Sequence, residues 1–316
     1  MASRFAAPLF REEYPAQSPA TAWPLSQAVA AQIAAARLLG PAARRYRSAV
    51  RAGLDRIGEY WSGAGYGFTP HPAPGSTRYF DDNDWLGLDF VAAYELLGDP
   101  ALLRKAEQVF AFVSSGWDAS GTGRCSGGVF WTTDPADRDR NTVSTANAAL
   151  LGLELYLHTR SPGYLEAARR MYGWVNRCLL GADGLYADRI MSNGRIEPTR
   201  WSYNQGAMVA AGVLLYRATG DGGALELAGR TALRALAYFS PRYATEPPEF
   251  VAIFFRDLAV LADERPLPGL SAAIAGYAAL RRAARGPDGL YRLRADGPAR
   301  LLEQAAMTQI DAQLPG

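Results

Sequence analysis

Histidine, cysteine and lysine are nearly missing from this 316-residue chain: it has two histidines (His71 and His158), two cysteines (Cys125 and Cys178) and the single lysine Lys105, so arginine supplies almost all of the 33 basic residues. Each shortage removes a class of chemistry. Two histidines leave little for a His-ligated metal, a Ser-His-Asp triad or paired imidazole acid/base work. Two cysteines support neither a disulfide framework nor a zinc site, and they are expected to be ordinary free thiols. Lys105, in a helix-patterned stretch of ordinary polarity, reads as a surface residue rather than a Schiff-base or P-loop lysine. Charge of one sign is also lacking: the net charge is +2, less basic than a nucleic-acid binder would be. The longest apolar stretches, such as Ala207 to Tyr216, fall short of the roughly 20 residues of a membrane span. At the N-terminus, Arg11, Glu12 and Glu13 arrive before a signal-peptide apolar segment is complete. The chain as it stands is therefore expected to be cytoplasmic, or secreted if its N-terminus has been trimmed.

What is present is the material of a packed core, with 49% hydrophobic and 11% aromatic residues. Ala/Leu-rich stretches place apolar residues at i, i+3, i+4 and i+7, which predicts an all-α chain. Helices are expected near 25–39, 42–61, 82–97, 99–116, 142–159, 162–180, 203–219, 222–239, 249–263, 268–285 and 298–312, and 1–22 supplies room for a twelfth piece. They come in pairs joined by very short turns (Gly98-Asp99-Pro100, Arg160-Ser161-Pro162, Gly220-Asp221), where Gly or a polar residue closes one helix and Asp or Ser caps the next. The loops between pairs, 62–81, 117–141, 181–202 and 240–248, are long and rich in Gly, Pro, Trp, Tyr, Asn and Asp. A pair repeat of about 60 residues points to an array or closed ring of helical hairpins. The first expectation is an α/α toroid of about six hairpins, read as one domain over 1–316 with 1–22 as an extension or partial first helix; the second is an open solenoid. The long loops should gather at one end of the ring and build the site there.

The sharpest local feature is Arg78-Tyr79-Phe80-Asp81-Asp82-Asn83-Asp84-Trp85, three carboxylates in four residues where a long loop enters a helix. One reading is structural: Asp81 as N-cap, with Asp82 and Asp84 favoured by the helix dipole. The other is catalytic: two carboxyl groups facing a sugar, one ionised as nucleophile and one protonated as acid. A second cluster, Trp201-Ser202-Tyr203-Asn204-Gln205-Gly206, offers amides and flat aromatic faces suited to sugar hydroxyls and C–H faces. A third joins Gly127-Gly128-Val129-Phe130-Trp131 to Arg140-Asn141-Thr142. In a fourth, Phe250 to Asp257, core packing is the better account, with Arg256 pairing a nearby acid. Recurrence of such clusters at the loop ends of successive helix pairs favours a carbohydrate cleft.

These segments, in this order, resemble glycoside hydrolase family 76 over nearly the whole chain from about Trp23 to Gln304, with Asp81-Asp82 and Tyr203-Asn204-Gln205-Gly206 the most specific pieces. The resemblance implies an (α/α)6 barrel and a retaining endo-α-1,6-mannanase that needs no cofactor and no metal. It implies Asp81 as nucleophile and Asp82 as general acid/base, with Trp131, Asn141, Tyr203, Asn204, Gln205 and Arg256 binding substrate. Its partner would be an oligo- or polysaccharide, not nucleic acid, and the chain is expected to be monomeric. Asp84, Ser202, Thr145 and Val251 depart from residues common in the family. The alternatives are a non-catalytic carbohydrate-binding protein on the same barrel, an uronyl hydrolase, or an epimerase, which the scarcity of histidine disfavours.

Overall fold

The computed structural model describes residues 2–5, 9–38, 44–121, 123–294 and 296–314. Among the described residues, eleven long helices follow the predicted order: α2 (Ala22–Leu38), α3 (Arg44–Ile57), α4 (Phe80–Leu97), α5 (Pro100–Ser115), α6 (Thr142–Thr159), α7 (Pro162–Cys178), α8 (Ser202–Thr219), α9 (Gly222–Phe239), α10 (Pro248–Ala262), α11 (Leu270–Ala283) and α12 (Leu301–Asp311). The twelfth piece is the four-residue helix α1 (Ala2–Phe5), followed by strand β1 (Glu13–Tyr14). Two boundaries shift for visible reasons. The helix predicted over 42–61 breaks at Ile57 into a 3-10 turn, Gly58–Tyr60. That predicted over 298–312 begins only at Leu301, because Ala299–Arg300 forms strand β5 against β1. The expected helix ends at 39 and 42–43 lie outside the described residues.

The helices divide by their apolar pattern. In α7 only Ala168, Met171, Tyr172, Trp174 and Val175 are buried, one stripe at helical spacing. In α8 nearly every residue from Asn204 to Leu215 is buried. A helix apolar on one stripe lies outside, and one apolar all round lies within. Accordingly α2, α4, α6, α8, α10 and α12 touch in succession and α12 closes onto α2, while α3, α5, α7, α9 and α11 pack outside them. The structure is an (α/α)6 barrel.

Two-residue turns join α4, α6 and α8 to the outer helices that follow them. Gly98, Arg160 and Gly220 close α4, α6 and α8 in the left-handed conformation. Asp99 and Asp221 cap the following helices by accepting from the backbone N–H groups of Ala101 and Gly223, each at 2.9 Å. Ser161, expected to act likewise, makes no side-chain cap bond. With every short turn at one end, all long loops emerge at the other, where the inner helices begin.

The expectation of free thiols is overturned: Cys125 and Cys178 form a disulfide, with Cα atoms 6.0 Å apart. The loop after α5 folds back over the C-terminal end of α7 and brings residues 53 apart in sequence together. The same loop is tied by Arg140, which donates to the carbonyl oxygens of Arg124, Cys125 and Gly127, and by the Trp174 indole, which donates to Cys125 at 3.0 Å. Gly127 and Gly128, at φ 102° and 89°, lie so close to Trp117 and Trp174 that a Cβ on either would collide with a ring.

Candidate active site

The helix α4 begins one residue before the acidic pair. Tyr79 is its N-cap and gives no side-chain cap bond, so Asp81 is not the cap and both Asp81 and Asp82 lie in the first turn. One Asp81 oxygen accepts the Trp131 indole N–H at 3.2 Å, and the other accepts the backbone N–H of Asp82 at 3.1 Å. Asp82 has one oxygen with no hydrogen-bond partner. No ion pair joins either carboxylate to a basic group among the described residues.

This setting separates the two acids. Burial pushes Asp81 up to about 7, against the opposing pull of its hydrogen bonds from Asp82 and Trp131. Burial, then the charges of Asp81 and Glu12, push Asp82 well above the usual carboxylate range, with no hydrogen bond to hold it down. Asp81 is thus the readier to ionise, and Asp82 the readier to keep its proton. Asp84, fully buried with neither oxygen partnered, is also raised by burial and then by Asp81. Burial without a partner favours the neutral form of such a carboxyl, and its side chain does not cap α4.

A further carboxylate that sequence reading missed, Asp188 in the loop before α8, lies near enough for its charge to raise Asp81. It accepts from Arg189 at 2.7 Å and from the Asn204 amide at 3.4 Å. Its backbone is fixed by Thr142, whose N–H donates to the Asp188 carbonyl at 2.8 Å. Tyr203 lies near both carboxylates: burial and then the charges of Asp188 and Asp81 raise its phenol far above its ordinary value. Asn141, the N-cap of α6, is buried with an unpartnered carbonyl oxygen and pairs in register with Arg189 through the short strands β2 (Arg140–Asn141) and β3 (Arg189–Ile190).

Aromatic rings wall this floor. Trp131 meets Tyr79 edge-on at 5.3 Å, and Tyr79 meets Phe68 at 5.3 Å. Opposite, Phe250 stacks on Tyr203 at 4.1 Å and touches Trp23 and Trp201 at 5.8 and 5.4 Å. Tyr79 and Phe250 stand in segments that the sequence singles out, though without a role in the wall assigned to either, and Trp23 lies outside those segments. Val251 to Phe255 are core residues, as expected.

Two expected ligands lie elsewhere. Gln205 is fully buried, accepting from the Tyr186 N–H at 2.8 Å and donating to the carbonyls of Tyr186 and Trp201 at 3.0 and 3.1 Å, so its amide is spent on the loop. Arg256 pairs with Asp257 at 3.0 Å, packs over the Trp85 ring, and lines a cavity of about 510 Å³ inside the barrel with Asp89, Leu88 and Glu154. Among the described residues, the acid and imidazole groups that converge as metal ligands would are Glu95, Glu154 and His158, within 4.8 Å of one another near the C-terminal ends of α4 and α6, away from the acidic pair.

Adjacent carboxyls raised by burial among aromatic rings, at the loop end of an α/α barrel, suit a carbohydrate-processing class of site. Comparison makes the assignment specific: the profile of glycosyl hydrolase family 76 matches residues 10–268, and the chain belongs to this family. Among curated proteins it is similar to the mannan endo-1,6-alpha-mannosidase of Saccharomyces cerevisiae, 28% identical over 132 residues. That alignment covers 39% of this chain and 29% of the yeast protein. Among solved structures it is similar to a family 76 glycoside hydrolase (mannosidase) from Bacteroides thetaiotaomicron, with TM-score 0.86, 21% identity, and coverage of 99% of this chain and 94% of that one. It is also similar to the α-1,6-mannanase of Salegentibacter, with TM-score 0.80, 21% identity, and coverage of 99% and 95%.

Proposed function

We propose that this protein is a retaining glycosidase that cleaves α-1,6-linked mannan or manno-oligosaccharides within the chain. The single observation that carries the reading is the Asp81–Asp82 pair: adjacent acids at the floor of an aromatic cleft, one held by two donors and the other by none. Asp81 attacks the anomeric carbon as Asp82 gives its proton to the departing oxygen. Asp82, now ionised, then takes a proton from water as that water attacks the mannosyl–Asp81 ester and frees Asp81. The Trp131 N–H holds Asp81 and supports its charge. In this reading the hydrogen-bonded Asp188 and Asn204 bind sugar hydroxyls, and Tyr203 with Phe250 offers a ring face.

Supporting this reading, an inactive variant of the Salegentibacter enzyme with two consecutive aspartates replaced by Asn was solved with α-1,6-mannotriose. The matched yeast protein bears the same linkage in its name. The Cys125–Cys178 disulfide supports action in an oxidising compartment outside the cytoplasm. Digestion of linear α-1,6-mannan by wild type and Asp81→Ala, with products resolved by size, tests the reading. Short oligosaccharides from the wild type alone are expected; an intact polymer after prolonged incubation with wild type contradicts it.

A further inference from the structure

Beside the catalytic cleft, the loop after α5 and the hairpin that follows β3 enclose a second pocket of about 560 Å³, lined by Arg124, Arg138, Arg140, Asp118, Phe130 and Asn193 among others. It lies on the other face of the segment that carries Trp131: Phe130 and Trp131 are consecutive in an extended stretch whose Val129, Phe130 and Thr132 are bridged to Trp117, Arg140 and Tyr79, so their side chains point to opposite sides. Trp131 reaches Asp81, while Phe130 floors the pocket.

The lining holds three arginines against one carboxylate. Arg140, buried, engages Asp118 at 3.2 Å and spends its remaining donors on backbone carbonyls. The Arg138 guanidinium carbon lies 3.9 Å from the centre of the Phe130 ring, and its one ion pair among the described residues is with Asp118, at 4.0 Å, which Arg140 engages more closely at 3.2 Å. Arg124 is exposed, packs by its Cβ near Gly194 at the hairpin tip, and has no ion pair among the described residues. Nearby acids are occupied: Asp139 binds Arg189 and Ser192, and Asp134 and Asp137 accept backbone N–H groups of their own loop. Two guanidinium groups therefore face the pocket with donor capacity left over, one of them fixed by stacking, beside the amide of Asn193. Forked donors of this kind match an oxyanion far better than a neutral hydroxyl.

We infer that this pocket is an accessory subsite for an anionic substituent on the glycan, a phosphate ester carried by the mannan chain. The inference rests on the mannan reading above and adds to it a preference among mannans. The Cys125–Cys178 bridge and Arg140 hold the loop that presents Arg124 and Arg138, so the subsite is set at a fixed distance from Asp81.

The test is affinity electrophoresis of wild type and the double variant Arg124→Ala/Arg138→Ala through gels that contain either a phosphate-bearing α-1,6-mannan or the same polymer stripped of phosphate with hydrofluoric acid. Wild type is expected to bind the phosphorylated polymer about five- to tenfold more tightly. The double variant should lose that preference and bind the stripped polymer as wild type does, and raised salt should erase the difference. A second variant, Arg124→Lys/Arg138→Lys, keeps the charge and part of the preference, which separates loss of the subsite from loss of the fold. Equal retention of wild type by both polymers, or a preference that survives the double alanine change, overturns the proposal. Stabilisation by free inorganic phosphate as strong as by the phosphorylated polymer would also overturn it, by showing a site for the free ion. Absence of wild-type retention by the stripped polymer would contradict the mannan reading instead, leaving the phosphate dependence to report on the pocket alone.

Discussion

At their C-terminal ends α4, α6 and α8 run into two-residue turns, and acids at that end of the barrel meet cations: Glu95 with Arg37 at 2.6 Å and with His158 at 3.2 Å, and Glu264, just past α10, with Arg217 at 2.6 Å. At their N-terminal ends the same helices emerge from long loops, and Asp81, Asp82 and Asp84 are left without a basic partner among the described residues. Paired surface acids add little to stability and little to chemistry. Unpaired acids in a partly closed cleft cost stability, yet their raised and unequal affinities for protons are what acid/base work on a sugar requires. The contrast teaches that loop length, more than helix composition, divides this barrel into a structural end and a chemical end.

The largest expected effect falls on the chemical end. Replacing Asp81 or Asp82 by Asn should lower kcat/KM on α-1,6-manno-oligosaccharides by at least about a thousandfold, measured by reducing-end release. Next, Cys125→Ser should cost about 2 to 4 kcal/mol of unfolding free energy in denaturant titrations, because the loop carrying Phe130 and Trp131 loses its covalent tether.

The titration of Asp81 has a sign that can be checked. Its carboxyl, raised from 3.8 to about 7 in the fold, binds its proton more tightly folded than unfolded, so the contribution to stability is whole below about pH 4 and is lost as pH rises towards 7. Asp81→Asn should therefore gain of the order of 1 to 2 kcal/mol over wild type at pH 8 and nothing at pH 4. Catalysis runs the other way: kcat/KM should fall as pH drops below about 7 and Asp81 takes up a proton. The smallest effect belongs to the structural end, where Arg37→Ala should shift stability by less than about 1 kcal/mol and leave kcat/KM unchanged.

The helices, their pairing and their closure were legible because apolar periodicity and the Gly/Asp/Pro turns are local signals. The pair proposed here as catalytic stood out because three acids in four residues is conspicuous. Asp188 did not, since a lone Asp followed by Arg in a loop looks like any surface pair until folding sets it near Asp81. Gln205 was misread for the opposite reason: an amide beside Tyr203 and Asn204 looks like a sugar ligand, yet it is a clamp. Asn83 does the same for Tyr66, and Gln304 for Tyr291, each three residues after its inner helix begins. A sequence signal for that clamp does exist: Asp183-Gly184-Leu185-Tyr186 and Asp288-Gly289-Leu290-Tyr291 repeat the same loop before Gln205 and Gln304. The pairing of Arg256 with the adjacent Asp257 was legible, whereas the disulfide joins segments 53 residues apart, which no local pattern encodes.

The central claim is that Asp81 and Asp82 divide the work of a double displacement. Proton NMR of α-1,6-mannotetraose hydrolysis, read in the first minutes before mutarotation, tests it most directly. The account predicts that new reducing ends appear first as the α-anomer with wild type and do not appear with Asp81→Asn. First appearance of the β-anomer, or undiminished hydrolysis by Asp81→Asn, would contradict it.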